Sequence, residues 1–447
     1  MKRHLVFGTV LAALIGVTAA PSWALDVKWG GDYRLRGFYA DNLTDQDDDS
    51  QDSIAYMNSR FLLTSAVTED GVSGVVTFIA GQTNGNGNRL LGGDPGAPPS
   101  GVYGPEASST VGLLEAYLAA DFKTWSAKGG RSVYKLGNGI ILDDSVDGLW
   151  ASFPVGGMDL TVGSLKLIEQ TDSFVGIGNS GPGTAGDADL YVVDLGLGKM
   201  MGDGHTGGVF LAYLTDRDAN LFGGGAAIED DATLWLLGLT GGMTAGGVQL
   251  KGELDYMTGE QNIGGTKTDL GGYNLMLGAK LNAGAMPVGV DLIYTSGDDP
   301  SSTSERNVNG LNGNYPVGIL LTNVGAVSGD TKDGTCLSPD GGALGGSSGC
   351  IDGSGLTAIK ISTGMVHGPH TIDLAAIYAM STEEPVAGGD TDLGIELDAT
   401  ISMAMTKRLN VLAGLGYLLP GDYWKMGVST APTDSMMVGV LQASYSF

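Results

Sequence analysis

Hydrophobic and polar positions alternate in short segments along the whole chain. In the last segment, residues 435–447, every second position from Met437 to Phe447 lies on one face of an extended strand, because successive strand side chains point to opposite sides. Gln442 and Ser444 lie on the other face. The segment therefore predicts a strand with one apolar and one polar face, and the apolar face ends on an aromatic residue.

The same period of two predicts about 18 strands, with a range of roughly 16 to 20. Most of the segments are close to the length of about 9–11 residues that a tilted strand needs to cross a membrane. They cover residues 26–39, 54–68, 72–83, 110–122, 127–137, 147–153, 158–170, 186–198, 206–216, 231–241, 247–258, 270–282, 287–297, 356–367, 369–380, 392–404, 409–419 and 435–447.

Long and short connections alternate along this series. The main long links are predicted at 40–53, 84–109, 171–185, 217–230, 298–355 and 420–434. An all-β, transmembrane, antiparallel up-and-down β-barrel has this asymmetry, with short periplasmic turns and long extracellular loops. Residues 25–447 are therefore expected to form a single barrel domain.

Two of the outer links could reach the pore. The longest, 298–355, could lie across the mouth as a lid or fold into the lumen, and a loop of this length usually has a functional role. The link at 137–147 contains Asp143 and Asp144. These carboxylates either constrict the pore or belong to a surface turn.

Residues 1–24 have the features of a removed secretory signal. Lys2 and Arg3 precede an apolar run over 5–20, and Ser-Trp-Ala at 22–24 offers a small-x-small cleavage site. The apolar run is shorter than the about 20 residues that a spanning helix needs. The chain is therefore expected to be exported, and among exported proteins those of the outer membrane need many strands with one apolar and one wet face.

The chain is strongly acidic, with 50 Asp and Glu against 23 Lys and Arg and a formal net charge of −27. This excess argues against nucleic acid as a partner, since phosphate binding needs clustered positive charge. Much of the acid is concentrated in residues 41–52. That stretch is either a solvated loop or a site where Ca²⁺ bridges the acidic loop to anionic lipopolysaccharide.

Cysteine and histidine are scarce. Cys336 and Cys350 are the two cysteines, and in an oxidising compartment they are expected to form a disulfide. There is no C-x-x-C-H motif for haem attachment, and the histidines after residue 24 are His205, His367 and His370. We therefore expect neither a cofactor nor a metal site within the chain.

Charged side chains of the predicted strands are expected to face the lumen, because an arginine facing lipid near the bilayer midplane costs about 2–4 kcal/mol. Basic residues of the first five strands would form a basic wall, with Glu115 and Asp121 as local partners. This wall either forms a paired network that solvates the pore or selects small or anionic hydrophilic solutes. The predicted pore-lining residues are Asp32, Arg34, Arg36, Arg60, Glu115, Asp121, Arg131, Lys135, Lys251, Glu253, Asp255, Glu396 and Asp398.

The terminal strand resembles the closing strand of bacterial outer-membrane β-barrels, in which the final aromatic residue is part of the signal read by the insertion machinery. Three further runs resemble alginate-export porins: Gly-Asp-Tyr-Arg-Leu-Arg-Gly at 31–37, Gly-Arg-Ser with Leu-Gly-Asn-Gly within 130–139, and Gly-Tyr-Leu-Leu-Pro-Gly-Asp-Tyr at 416–423. This resemblance implies an 18-stranded barrel with a charged, arginine-rich lumen that passes an anionic polysaccharide or other polar solutes. It also implies a place in the lumen for Arg34, Arg36 and Arg131.

Together these features predict a channel without enzymatic activity in the outer membrane of a Gram-negative bacterium. It would allow passive or weakly selective diffusion of small hydrophilic solutes, anionic ones among them. Its expected partners are outer-membrane lipid, lipopolysaccharide and the insertion machinery. Two alternatives stay open. The barrel could sheathe a multihaem cytochrome in an electron conduit, or it could be an outer-membrane enzyme, although all three histidines map to predicted periplasmic turns.

Overall fold

A computed structural model of the chain describes residues 26–42, 53–81, 111–168, 188–202, 204–217, 231–282, 284, 286–299, 301, 305–308, 310–311, 317–319, 354–425, 427–428 and 433–447. The predicted signal at 1–24, the acidic stretch over 43–52 and the cysteine pair Cys336 and Cys350 lie outside the described residues.

Among the residues that the structure describes, nearly all regular structure is β-strand. A four-residue helix, Gly198–Met201 (α1), and a 3₁₀ turn, Asp422–Lys425, are short additions. The strands are Asp26–Asp41 (β1), Ile54–Glu69 (β2), Val72–Gly81 (β3), Val111–Asp121 (β4), Ser126–Leu136 (β5), Leu142–Val155 (β6), Met158–Ile168 (β7), Ala188–Gly196 (β8), His205–Arg217 (β9), Asp231–Ala245 (β10), Val248–Ile263 (β11), Thr266–Leu281 (β12), Val288–Thr295 (β13), Glu305–Asn307 (β14), Leu356–His367 (β15), His370–Met380 (β16), Asp392–Ala404 (β17), Leu409–Pro420 (β18) and Met436–Ser446 (β19).

Eighteen of these strands form a closed antiparallel barrel, which confirms the predicted fold class. Each barrel strand pairs with its neighbours along the chain, and β13 pairs directly with β15. The short strand β14 is outside this series, because it pairs in parallel with residues 269–271 of β12. Within the described residues, no helix is both long and apolar enough to cross a membrane.

Pairing of β1 with β19 closes the barrel. Arg34 lies opposite Ser444 and Arg36 opposite Gln442, as the alternation predicts. The Arg36 Nε donates a hydrogen bond of 3.1 Å to Gln442 Oε1. Phe447 continues the pairing, since its backbone exchanges two hydrogen bonds with Gly31, of 3.1 and 3.2 Å. Closure leaves none of the eighteen barrel strands with an unpaired edge.

Most of the outside of the barrel is apolar between two aromatic bands. At the end that carries Asp26 and Phe447, called the terminal end here, Trp125 stacks on Phe153 with ring centroids 5.9 Å apart. Toward the opposite, far end, Tyr213 packs against Trp235 at 4.5 Å. Between the bands, outward positions carry exposed leucines such as Leu237, Leu254 and Leu397. This arrangement is typical of a barrel that crosses a membrane.

Two predicted connections at the far end are shorter than expected. The strand predicted at 147–153 extends over Leu142–Val155, so the link from β5 to β6 shrinks to residues 137–141. Strands β11 and β12 are joined by Gly264 and Gly265 alone, both with positive φ. Long and short connections therefore do not alternate strictly along the whole chain.

Gly31 offers a direct test of the closure. A Cβ at Gly31 would collide with the Leu62 carbonyl oxygen and the Phe447 ring, which itself stacks on Phe61 at 5.9 Å. We expect Gly31→Ala to destabilise the folded barrel by about 1–3 kcal/mol, the usual cost of overpacking. The measurement is the urea midpoint of folding in detergent micelles.

Gly30→Ala is the matched control. A Cβ at Gly30 would lie 3.4 Å from the Phe447 carbonyl oxygen, an ordinary contact distance. Equal midpoints for the two variants would show that Phe447 does not pack against β1 as described.

Candidate pore constriction and chamber

One face of the sheet lines the lumen. Arg34 and Arg36 are buried on this face. Their neighbours along the strand, Tyr33 and Leu35, are exposed on the outside. Strand pairing carries the same face around the barrel. It includes these predicted residues: Asp32, Arg34, Arg36, Arg60, Glu115, Asp121, Lys251, Glu253, Asp255, Glu396 and Asp398. Their role in solute passage stays a prediction.

Arg131 and Lys135 are on the other side of the sheet, so their predicted place in the lumen is wrong. In β5 the inward positions are Lys128, Ser132 and Tyr134. The Lys128 ammonium lies 4.3 Å from the centre of the Tyr117 ring and 5.4 Å from that of Tyr134. Both faces of β5 therefore carry charge.

Aspartates across the strand pair stabilise the outward charges of β5. Arg131 Nη1 lies 3.1 Å from Asp147 Oδ2, and Lys135 Nζ lies 3.0 Å from Asp143 Oδ2. Asp147 is two residues from Leu149, which is 62% exposed on the same outward face of β6. Of the two aspartates predicted either to constrict the pore or to belong to a surface turn, Asp143 thus faces outward and does not constrict the pore, whereas Asp144 lies opposite the inward-facing Tyr134.

The partners of the basic residues also differ from the predicted ones, Glu115 and Asp121. Arg60 Nη2 contacts Asp32 Oδ1 at 3.2 Å, within the β1–β2 pair. Glu115 instead accepts a hydrogen bond of 3.1 Å from the Thr77 hydroxyl, and Asp121 accepts one of 2.8 Å from the Lys123 backbone. Adjacent strands thus supply the carboxylate that balances Arg60.

The connection 137–141 bends into the lumen. The backbone N–H of Asn138 donates to Glu253 Oε2 on β11 at 2.5 Å, six strands further along the chain than β5. Gly137 has φ of +59° and sits against the same carboxylate, where a Cβ would collide with it. Ile140 and Ile141 are buried, at 3% and 0% exposure. The connection is therefore held across the barrel interior.

Parts of the long loop after β13 meet this connection. Leu311 N–H donates to the Ile141 carbonyl at 2.8 Å. Further along, Lys360 Nζ donates to the Val317 carbonyl at 2.7 Å, and Ile319 N–H donates to Asp398 Oδ2 at 3.2 Å. Residues 310–311 and 317–319 of this loop thus fold into the lumen. We call residues 137–141, 310–311 and 317–319 the inner constriction.

Two apolar clusters hold the inner constriction. Ile141 and Leu311 pack with inward residues such as Phe210 and Leu234, on one side of the lumen. Ile140 and Val317 belong to a second cluster that includes Phe38 on the closing side. Because buried apolar contacts stabilise by about 25 cal/mol per Å², these clusters resist displacement of the constriction.

The long loop begins with a local hydrogen-bonded turn. Asp299 accepts hydrogen bonds from the hydroxyl and the backbone N–H of Ser301, at 2.7 and 2.8 Å. Both hydrogen bonds lower the pKa of the Asp299 carboxyl below its usual value, and the bond from the hydroxyl has the larger effect. The carboxylate therefore stays ionised and keeps the turn at mildly acidic pH.

A chamber of about 790 Å³ lies between the inner constriction and the terminal end of the barrel. Asn138 and residues 317–319 form its roof, and strands from β9 to β17 contribute to its wall. Its charged lining is mixed and consists of Lys251, Lys280, Lys360, Asp291, Asp373 and Asp398.

These charges differ in how far they are neutralised. Lys251 is paired with Asp291 at 3.2 Å, and Lys360 is occupied by the Val317 carbonyl. Lys280 is exposed and has no hydrogen-bond or ion-pair partner among the described residues. The chamber can therefore offer Lys280 to a passing solute without first breaking an ion pair.

Several site residues were not predicted from the sequence. Lys128 was missed because the alternation in its strand was applied only to Arg131 and Lys135, and Lys360 was missed because the alternation was not applied to its strand. Residues 140–142, Ile-Ile-Leu, carried a usable signal, since an apolar run in a link between strands indicates burial.

Comparison with known proteins supports the barrel. No protein-family model and no curated protein matches the chain. Among solved structures, it is similar to Pseudomonas aeruginosa OpdL at a TM-score of 0.56 and 13% identity, with 94% of this chain and 99% of that chain covered. It is also similar to Pseudomonas aeruginosa OccK9 (OpdG), at a TM-score of 0.56 and 13% identity, with 94% of this chain and 98% of that chain covered. Acinetobacter baumannii OccAB2 is similar at a TM-score of 0.54 and 13% identity, with the same shares of the two chains covered.

These neighbours are outer-membrane porins. At this identity the likeness shows the fold, an 18-stranded porin-type barrel. It does not support the resemblance to alginate-export porins.

Proposed function

We propose that the protein is an outer-membrane channel for small hydrophilic solutes. The observation that carries the proposal is the solvent-accessible chamber of about 790 Å³, lined by charged side chains inside a closed barrel whose outside is largely apolar. Barrels of this width enclose an aqueous path unless a loop fills it. The inner constriction narrows this path and so limits the size of solutes.

We further propose that anionic solutes are favoured. Acidic residues near the constriction are engaged in holding it, since Glu253 and Asp398 accept backbone N–H groups from its residues. Lys280 is left exposed in the chamber. An exposed ammonium beside the solute path lowers the barrier for anions through electrostatic attraction.

The sleeve of a multihaem cytochrome is less well supported. Such a partner needs a lumen free of the chain's own residues, and here residues 137–141 and 317–319 cross it.

In the proposed channel, the terminal end of the barrel faces the periplasm and the far end faces the outside of the cell.

The test is conductance of the purified barrel in planar bilayers. We expect stepwise single-channel currents and, in a salt gradient, a reversal potential on the anion side. Absence of steps from protein whose electrophoretic mobility shifts on heating, as a folded barrel's does, would overturn the channel. Steps with a cation-side potential would overturn only the anionic preference.

A further inference from the structure

Charged residues form a diagonal row on the outside of β5 to β8. Arg131, Asp147, Lys166 and Asp189 are successive cross-strand partners on this face. Lys166 Nζ and Asp189 Oδ1 are 2.9 Å apart, and the Arg131–Asp147 pair is 3.1 Å apart. Lys135 and Asp143 add a further pair toward the far end. We call these six residues the outer charge ladder.

The outer charge ladder lies in the far half of the barrel wall. Lys135 and Asp143 are one residue from the far ends of β5 and β6, and Asp189 is the second residue of β8. Tyr191, the next outward residue of β8 toward the terminal end, pairs with Tyr213 of the aromatic band. The ladder thus extends from Lys135, Asp143 and Asp189, at the level where hydrocarbon meets the headgroups of the outer leaflet, to Arg131 and Asp147 in the middle of their strands.

Charges at this level need more than their mutual pairing. Arg131 has a side-chain exposure of 40% and Asp147 of 56%, in the middle of their strands rather than at the tips. Arg131 uses one N–H on Asp147, and a guanidinium has five donors. Hydrocarbon cannot accept the others, so an anionic group with several acceptor oxygens would complete the site.

We propose that the outer charge ladder binds the phosphorylated headgroup of lipopolysaccharide. Arg131, Lys135 and Lys166 contact phosphate oxygens, and the aspartate paired with each of them keeps its charged group in place. The basic residues fit this glycolipid because phosphate oxygens accept the N–H donors that the aspartates leave unused. This inference rests on the proposed outer-membrane location and is independent of conductance.

The test measures lipopolysaccharide bound to folded, detergent-purified barrels by native mass spectrometry and phosphate analysis. The variant combines Arg131→Gln, Lys135→Gln and Lys166→Gln. Lys267→Gln is the matched control, since Lys267 is exposed near the far end of β12 and faces Glu260 at 3.7 Å. We expect about tenfold weaker binding for the triple variant, equivalent to losing one charge-assisted contact, and unchanged binding for the control.

A second variant guards against misfolding of the first. It adds Asp143→Asn, Asp147→Asn and Asp189→Asn, so that no carboxylate is left unpaired, and the same loss is expected. Weaker binding of dephosphorylated lipopolysaccharide than of the intact glycolipid would support the proposal.

Wild-type binding by both variants would overturn it, as would an equal loss in Lys267→Gln. Loss of a barrel oligomer with unchanged lipopolysaccharide binding would also overturn it and assign the ladder to a second copy of the chain. Conductance of the same variants separates this result from failure of the channel itself.

Discussion

Lys280→Glu is expected to shift the ion selectivity of the channel toward cations severalfold. Lys280 lines the chamber, is exposed and has no partner among the described residues. At about 4 Å in water, reversing a unit charge changes the energy of a monovalent ion by about 2 kcal/mol, and salt reduces this effect. The measurement is the reversal potential in a potassium chloride gradient, taken at low and at high ionic strength.

Lys267→Glu is the control for this experiment because it makes the same change in the same strand. Alternation along β12 places Lys267 outward near the far end and Lys280 inward near the terminal end. Lys280→Gln should give an intermediate shift. If Lys280→Glu and Lys267→Glu move the reversal potential equally, the effect comes from total charge and Lys280 does not contact the ion path.

The strand series and the closure could be predicted because both depend on local alternation. A period of two with one apolar face is visible within a single strand, and the pairing of the last strand with the first follows from an even strand number. The predicted neighbours of Arg34 and Arg36 on β19 are therefore the observed ones, Ser444 and Gln442. Strand ends differ mainly at the start of β6 and where the hairpin of β11 and β12 extends beyond the aromatic band.

The inward assignment failed for Arg131 and Lys135 because charge alone was taken to indicate the lumen. That rule holds at the bilayer midplane, where the cost is largest, and weakens toward the headgroups. In β5 the alternation contains a cue to the opposite assignment. Lys128 and Tyr134 lie on the face that lines the lumen in the neighbouring strands. Gly129 lies on the opposite, outward face, where its cross-strand partner on β6 is the exposed Leu149.

The inner constriction could not be derived from local pattern. Its main contact joins Asn138 to Glu253, which are 115 positions apart. Nothing in the spacing of either segment specifies that pairing. Burial of Ile140 and Ile141 depends on residues from both apolar clusters, so it emerges only once the barrel has closed around them.

Gly137→Ala is expected to displace the inner constriction and raise single-channel conductance above the wild-type level. A methyl group at Gly137 would collide with the Glu253 carboxylate that holds Asn138. Overpacking of this kind costs about 1–3 kcal/mol, enough to weaken a contact made by one short connection. Open-state conductance and the frequency of brief closures in planar bilayers are the measurements.

Gly156→Ala separates this contact from backbone strain. Gly156 also has φ of +59°, yet nothing lies within 4 Å of the position of its Cβ, in the turn between β6 and β7. Both variants therefore carry the same strain of about 1–2 kcal/mol, and only Gly137→Ala disturbs Glu253. Adding Glu253→Ala to each variant completes a double-mutant cycle, in which Gly137→Ala should have little further effect once the carboxylate is absent. Equal conductance changes in Gly137→Ala and Gly156→Ala would mean that Glu253 does not hold the constriction. The contact of Asn138 with Glu253 would then not close the chamber.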